Sequence, residues 1–198
     1  FSSSVKIDDD IYIWTGTATQ YKVNLLRKFF EQYKQDPSDL VFFLDDSKGI
    51  GSDEEIERYK IRRKYWESVL PSLQEATGTF LNISPSKNNS IMGATARSGV
   101  YLCCVANYDS ARVEIFIDQG DYQKNRAIYK RLEQNRDAIE VAYGKSLNWV
   151  CQDDVRACKV YDEIKEVSIK NEEDWPVMSA FHIQRAKALL VATKQFLA

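Results

Sequence analysis

The clearest pattern in the chain is the alternation from Arg112 to Asp118. Val113, Ile115 and Ile117 take one side, and Arg112, Glu114, Phe116 and Asp118 take the other. Side chains change sides at every residue of a strand, so this stretch predicts an extended ribbon with an aliphatic face and an ionic face. A second run rich in β-branched, aromatic and Cys residues, Val100 to Asn107, precedes it across the polar break Tyr108-Asp109-Ser110. Two such runs around a short polar break predict a β-hairpin. The aliphatic side is expected to be core and the ionic side to stay open.

Helical spacing governs much of the rest. Val23, Leu26, Phe29, Phe30 and Tyr33 predict a helix that Thr17 or Thr19 caps and that ends near Gln35; Asp36-Pro37 restarts a helix before the apolar run Leu40 to Leu44. The polar stretch Asp45 to Ser52, with Gly49 and Gly51, reads as a linker. Ser52-Asp53-Glu54-Glu55 opens a further helix, acidic first and basic later as the helix dipole favours, and Pro71 is expected to end or bend it. Phe80 to Ile83 and Ile91 to Ala96 read as strands around a loop. After the hairpin, one helix is expected from Asp121 to Gly144, with Ile128, Tyr129, Leu132, Ile139 and Ala142 on its apolar stripe. Leu147 to Cys151 and Arg156 to Ile164 read as strands, and Asp174-Trp175-Pro176 begins the last helix. This order favours an α+β fold, with a mixed or antiparallel sheet and flanking helices, over a doubly wound parallel sheet. A restriction-endonuclease-like arrangement is one form it can take. A small helical segment at 1–50, the tail of a preceding domain, would lead into an α+β domain at 51–198.

Composition narrows the classes. The 198 residues carry a formal net charge of −2, with 44% hydrophobic and 28% charged positions. That balance argues against a strongly cationic nucleic-acid coat while leaving room for local basic patches. No run approaches the roughly 20 apolar residues of a membrane span, and nothing at the start has the layout of a signal peptide. A cytoplasmic protein with no membrane partner is the expectation. The chain begins at Phe1 rather than Met, which reads as a fragment or a processed chain. Its cysteines are Cys103, Cys104, Cys151 and Cys158, with no Cys-x-x-Cys spacing and a single histidine, His182. These residues do not compose a zinc site. Reduced, mostly buried thiols are expected instead, and His182, amid apolar neighbours, reads as a packing residue.

Two kinds of chemistry remain. Lys87, Arg97, Arg112 and Arg156, with Lys159, lie on expected loops and strands where phosphate contacts are made. Arg62-Arg63-Lys64 is a basic run whose plainer reading is a solvated helix face. Separately, Glu114 and Asp118 point to the same side of one strand; with Lys159 they are the candidates for a Mg²⁺-dependent nuclease centre. The usual carboxylate-x-Lys tail is missing, since Ile115-Phe116 follows Glu114, so Lys159 or Arg156 would have to serve from another strand. A cross-strand ion pair between Glu114 and Arg112 or Arg156 is the plainer reading. Unless the nuclease reading holds, no cofactor is expected.

Several phrases in fixed order resemble a bacterial family known only as domain of unknown function 4268. They include Tyr65-Trp66, Ala96-Arg97-Ser98-Gly99-Val100, Ala111 through Asp118, Lys124-Asn125-Arg126-Ala127-Ile128-Tyr129, Leu147-Asn148-Trp149, Arg156-Ala157-Cys158-Lys159 and Glu173-Asp174-Trp175-Pro176. They cover roughly residues 56–198. The resemblance implies a module that stands alone or follows another, often nuclease-like, domain in prokaryotic proteins of restriction and defence. It implies no reaction. The leading expectation is thus a nucleic-acid-associated recognition or interaction module. A divergent Mg²⁺-dependent nuclease is a second reading, and a protein–protein assembly domain using Tyr108, Phe116 or Trp149 is a third.

Overall fold

The computed structural model describes residues 2–8, 11–15 and 53–197. The chain divides into two compact units, Phe1–Ile56 and Glu57–Ala198. In the first, β1 (Ser2–Asp8) pairs antiparallel with β2 (Ile11–Thr15), Val5 lying opposite Ile13. Residues 2–8 and 11–15, within the segment expected to be helical at 1–50, are therefore strands. The helix expected from Thr17 to Gln35 and the run Leu40 to Leu44 lie outside the described residues.

Helix α1 (Asp53–Thr77) starts acidic, as its sequence requires, and runs through Pro71 rather than stopping there. Proline leaves the carbonyl four residues back without its helical donor. Here that carbonyl belongs to Glu67, and both Glu67 and Pro71 are exposed, so solvent can satisfy it. The opposite stripe, Tyr65, Trp66, Val69, Leu70 and Leu73, is buried.

The sheet of the second unit has five strands in the order β3-β4-β5-β7-β6, every neighbouring pair antiparallel. Its strands are β3 (Ser90–Ala94), β4 (Val100–Ala106), β5 (Ser110–Ile117), β6 (Asn148–Val150) and β7 (Cys158–Lys165). Helices α2 (Tyr122–Glu133), α3 (Arg136–Tyr143) and α4 (Trp175–Leu197) complete an α+β domain. The central hairpin forms as its alternation predicts, with Leu102 opposite Ile115 and Cys104 opposite Val113. At its turn the Asn107 amide donates to the Ser110 carbonyl at 2.9 Å. Val113, Ile115 and Ile117 are fully buried, sharing a core with Leu102, Val160, Leu132, Ile139, Met178 and Leu189. Gly99 turns the chain between β3 and β4 at φ +73°, and a Cβ there would meet Gln119 Cγ at 2.3 Å. Both facts demand glycine.

Three expectations are corrected. Phe80–Ile83 is a turn, not a strand: Phe80 and Asn82 sit at φ 61° and 62°, which a strand cannot contain. The Phe80 ring is buried while its neighbour Leu81 faces solvent. The helix expected between Asp121 and Gly144 is two helices, broken at Gln134-Asn135. There the Asn135 side-chain amide donates to the Arg131 carbonyl at 2.8 Å, the local competition that makes Asn a poor helix interior. Finally, the thiols are not all free. Cys151 and Cys158 are joined by a disulfide, whereas Cys103 and Cys104 are free and buried.

Two buried polar groups of this core, His182 and Asp162, have partners. His182 lies between Tyr65, Trp66 and Phe181 as a packing residue, its Nε2 3.1 Å from the Val105 carbonyl. Asp162 is 2% exposed, and accepts from Tyr143 Oη at 2.6 Å and Lys145 Nζ at 2.7 Å.

Candidate nucleic-acid interface

The side chains of β4, β5 and β7 that point away from the main core form a grid fixed by strand register. Tyr101, Phe116 and Lys159 make one row; Cys103, Glu114 and Tyr161 the next; Val105, Arg112 and Glu163 the third. Sequence alternation places Arg112, Glu114 and Lys159 on this face, and the register brings them together. Arg112 and Lys159 both lie over the ring of Tyr161, at 5.3 and 5.5 Å from its centroid.

Glu114 departs from the expected open ionic side, being only 7% exposed. Its Oε2 accepts no hydrogen bond, and Arg112 Nη2 stands 3.9 Å away. Burial raises its pKa, against the lowering influence of Arg112 and Lys159. Alternation shows which side a residue takes but not how deeply that side is withdrawn from water.

Asp118 and Arg156 form a separate pair at the far end of β5, with Arg156 Nη2 donating to Asp118 Oδ2 at 2.6 Å. That hydrogen bond, then one from the Gly120 amide, holds the Asp118 carboxyl below its ordinary range. Arg156 therefore pairs with Asp118 and not with Glu114. At about 3.3 Å of rise per residue, four positions along a strand keep Glu114 and Asp118 more than about 10 Å apart. The two carboxylates do not converge on one metal. Among the described residues, no cluster of three His, Cys, Asp or Glu side chains could hold an ion. Arg97 lies in the β3–β4 turn at this same end, where the Asp118 amide donates to the Gly99 carbonyl at 2.8 Å. Lys87 lies before the opposite end of β3, so the candidate cations are spread along the sheet rather than gathered.

A denser cluster forms at the tip of the central hairpin. Tyr108, in the β4–β5 turn, is 40% exposed. Lys170 Nζ lies 4.5 Å from its ring centroid and the Arg62 guanidinium carbon 5.7 Å. Arg62 Nη1 also reaches the Lys87 carbonyl at 3.5 Å, and Lys87 Nζ lies 5.0 Å from the Tyr59 ring. The fold assembles these groups from distant segments. The Ile169 amide donates to Asn107 at 2.9 Å, setting Lys170 beside the turn, and the Ala106 amide donates to Asn89 at 2.8 Å, setting the Lys87 loop there too. Among the described residues, Arg62, Lys87 and Lys170 form no ion pair with a carboxylate. Their neighbours Arg63 and Lys64 do, with Glu67 at 3.1 Å and Glu172 at 2.7 Å. The basic run of α1 therefore divides into two solvated ion pairs and one cation turned to the hairpin tip. Of this cluster the sequence singled out Lys87, the basic run and Tyr108, but Lys170 carried no signal. Phe116 and Trp149 are both half-buried, and the Trp149 indole donates to Glu140 at 2.8 Å.

No helix among the described residues is long and apolar enough to cross a membrane. No curated protein and no solved structure matches the chain. The match is instead to a family, over residues 61–197, and the chain belongs to it: Domain of unknown function (DUF4268).

Proposed function

We infer that the unit Glu57–Ala198 is a nucleic-acid-associated recognition module, acting within a restriction or defence protein. The observation that carries this reading is the exposed Tyr108 ring flanked by Lys170 and Arg62, neither of them paired with a carboxylate among the described residues. Such a ring offers a base a stacking surface, and the two cations offer phosphate oxygens their charge. Lys87 supplies a third cation beside Arg62. A net charge of −2 does not oppose this, because phosphate contacts depend on the local patch and not on the sum over the chain. The restriction or defence setting rests on the family resemblance rather than on the geometry.

The test is fluorescence anisotropy with labelled single- and double-stranded oligonucleotides over a salt series. Binding is expected at low ionic strength, with log K falling linearly as log salt rises. Replacing Arg62 and Lys170 together by Ala should flatten that slope by about 1 to 2. Tyr108→Ala should weaken single-strand binding by about 1–3 kcal/mol and duplex binding less. Absence of binding at low salt, or an unchanged slope in the double variant, removes the reading.

A further inference from the structure

The loop between β6 and β7 holds a second arrangement that nucleic-acid recognition does not use. Val150 pairs with Lys159, so the next pair outward along the two strands is Cys151 with Cys158, and their Cα atoms are 4.4 Å apart. Arg126, from α2, points into the join. Its Nη1 lies 3.2 Å from Cys151 Sγ and 3.6 Å from Cys158 Sγ. Its Nη2 donates to the Gln152 carbonyl and to Asp153 Oδ1, and its guanidinium carbon sits 3.7 Å from the Tyr122 ring centroid. The Arg126 side chain is only 14% exposed.

This is an unusual use of a guanidinium. It is charged at every accessible pH, and a disulfide sulfur is a weak neutral acceptor that gains little from it. A thiolate gains a great deal, and a cation facing a cysteine is what makes its sulfur nucleophilic near neutral pH. The two residues also differ in burial: Cys151 is half-buried and Cys158 fully buried. One is placed to meet a reagent from solution, and the other to resolve what forms.

We propose that Cys151 and Cys158 are a redox-active dithiol that exchanges with low-molecular-weight disulfides, with Arg126 holding the thiolate of the reduced pair. In the forward direction the Cys151 thiolate attacks one sulfur of RS–SR. A Cys151–SR mixed disulfide forms and RS⁻ leaves. Cys158 gives its proton to that RS⁻, and its sulfur attacks Cys151 Sγ, breaking the mixed disulfide and expelling the second RS⁻, which takes up a proton from water. Counting the proton Cys151 lost on ionising, the pair gives up two electrons and two protons and RS–SR becomes two RSH. Reduction by excess RSH runs the same steps backward. Closing the bond ties down both ends of the segment from Gln152 to Ala157, which carries Arg156 and hence its contact with Asp118.

The test uses the full 198-residue chain equilibrated in glutathione buffers of varied thiol-to-disulfide ratio, then quenched in acid and counted for free thiols by mass spectrometry after alkylation under denaturing conditions. Two thiols should appear and disappear reversibly across the series, on Cys151 and Cys158, while Cys103 and Cys104 stay reduced throughout. Cys158→Ser should trap one glutathione on Cys151. In Arg126→Gln the alkylation of reduced Cys151 should slow about tenfold at pH 7, and its rate profile should move to higher pH. A pair that stays oxidised in the most reducing buffer is a structural bond, and one that stays reduced in the most oxidising buffer is no couple at all. Either result overturns the proposal, as does an Arg126→Gln profile unchanged in pH. The thiol count on the unsubstituted chain decides the first two outcomes even if a variant folds poorly.

Discussion

The phenol oxygen of Tyr65 stands 2.7 Å from Nδ1 of His182, and both residues are fully buried. Because Nε2 faces the Val105 carbonyl, an acceptor, the proton belongs on Nε2, and Nδ1 accepts from Tyr65. A relay from α1 through α4 to β4 is thereby fixed with the imidazole neutral. Burial pushes the His182 pKa down to about 4, with the backbone carbonyls opposing.

The pH consequence has a definite sign. Above about pH 6.5 neither folded nor unfolded chain protonates this histidine, and it adds no slope. Between there and about pH 4 the unfolded chain binds a proton that the folded one refuses, so stability should fall by roughly 3 kcal/mol over that window. Urea titrations from pH 7.5 to 4 should show the loss. His182→Leu should remove the slope while costing about 2 kcal/mol at pH 7.5 through the lost bonds to Tyr65 and Val105.

Glu114 makes the opposite prediction. Its folded pKa is raised by burial, so the unfolded chain releases its proton first as pH climbs above the ordinary Glu range. Ionised Glu114 then costs stability at neutral pH, and Glu114→Gln should recover on the order of 1 kcal/mol. Denaturant midpoints of the two proteins should converge in acid and separate toward pH 7. Equal midpoints at both pH values would mean that Glu114 is not strained by burial.

Asp162 should be far more sensitive than its partners. It is 2% exposed and satisfies Tyr143 Oη and Lys145 Nζ, with Arg185 Nε 3.8 Å away. Asp162→Ala should cost about 2 kcal/mol, since it leaves the buried Tyr143 phenol without its acceptor. Lys145→Ala, at the wetter end of the pair, should cost less than about 1 kcal/mol. Thermal or chemical denaturation of the two variants checks the ratio.

The sequence carried the parts of this fold that depend on local period. Val113, Ile115 and Ile117 could be assigned to the core because a strand must sort its side chains two ways, and the last helix begins at Trp175 as Asp174-Trp175-Pro176 indicates. What was not legible depended on pairing at a distance. Phe80–Ile83 has strand-forming residues, but its backbone is committed to turns. The stripe from Ile128 to Ile139 continues across a break that a single asparagine imposes. Cys151 meets Cys158 only through the register of β6 on β7, and Lys170 meets Tyr108 only because Ile169 bonds to Asn107.

Strand β6 has just three residues and sits at one border of the sheet. An unpaired border is where a neighbouring chain can zip on, and the length of the border sets how far that zipper runs. So short a margin gives a foreign strand almost nothing to grip. On that side the sheet should resist clumping even when the protein is crowded.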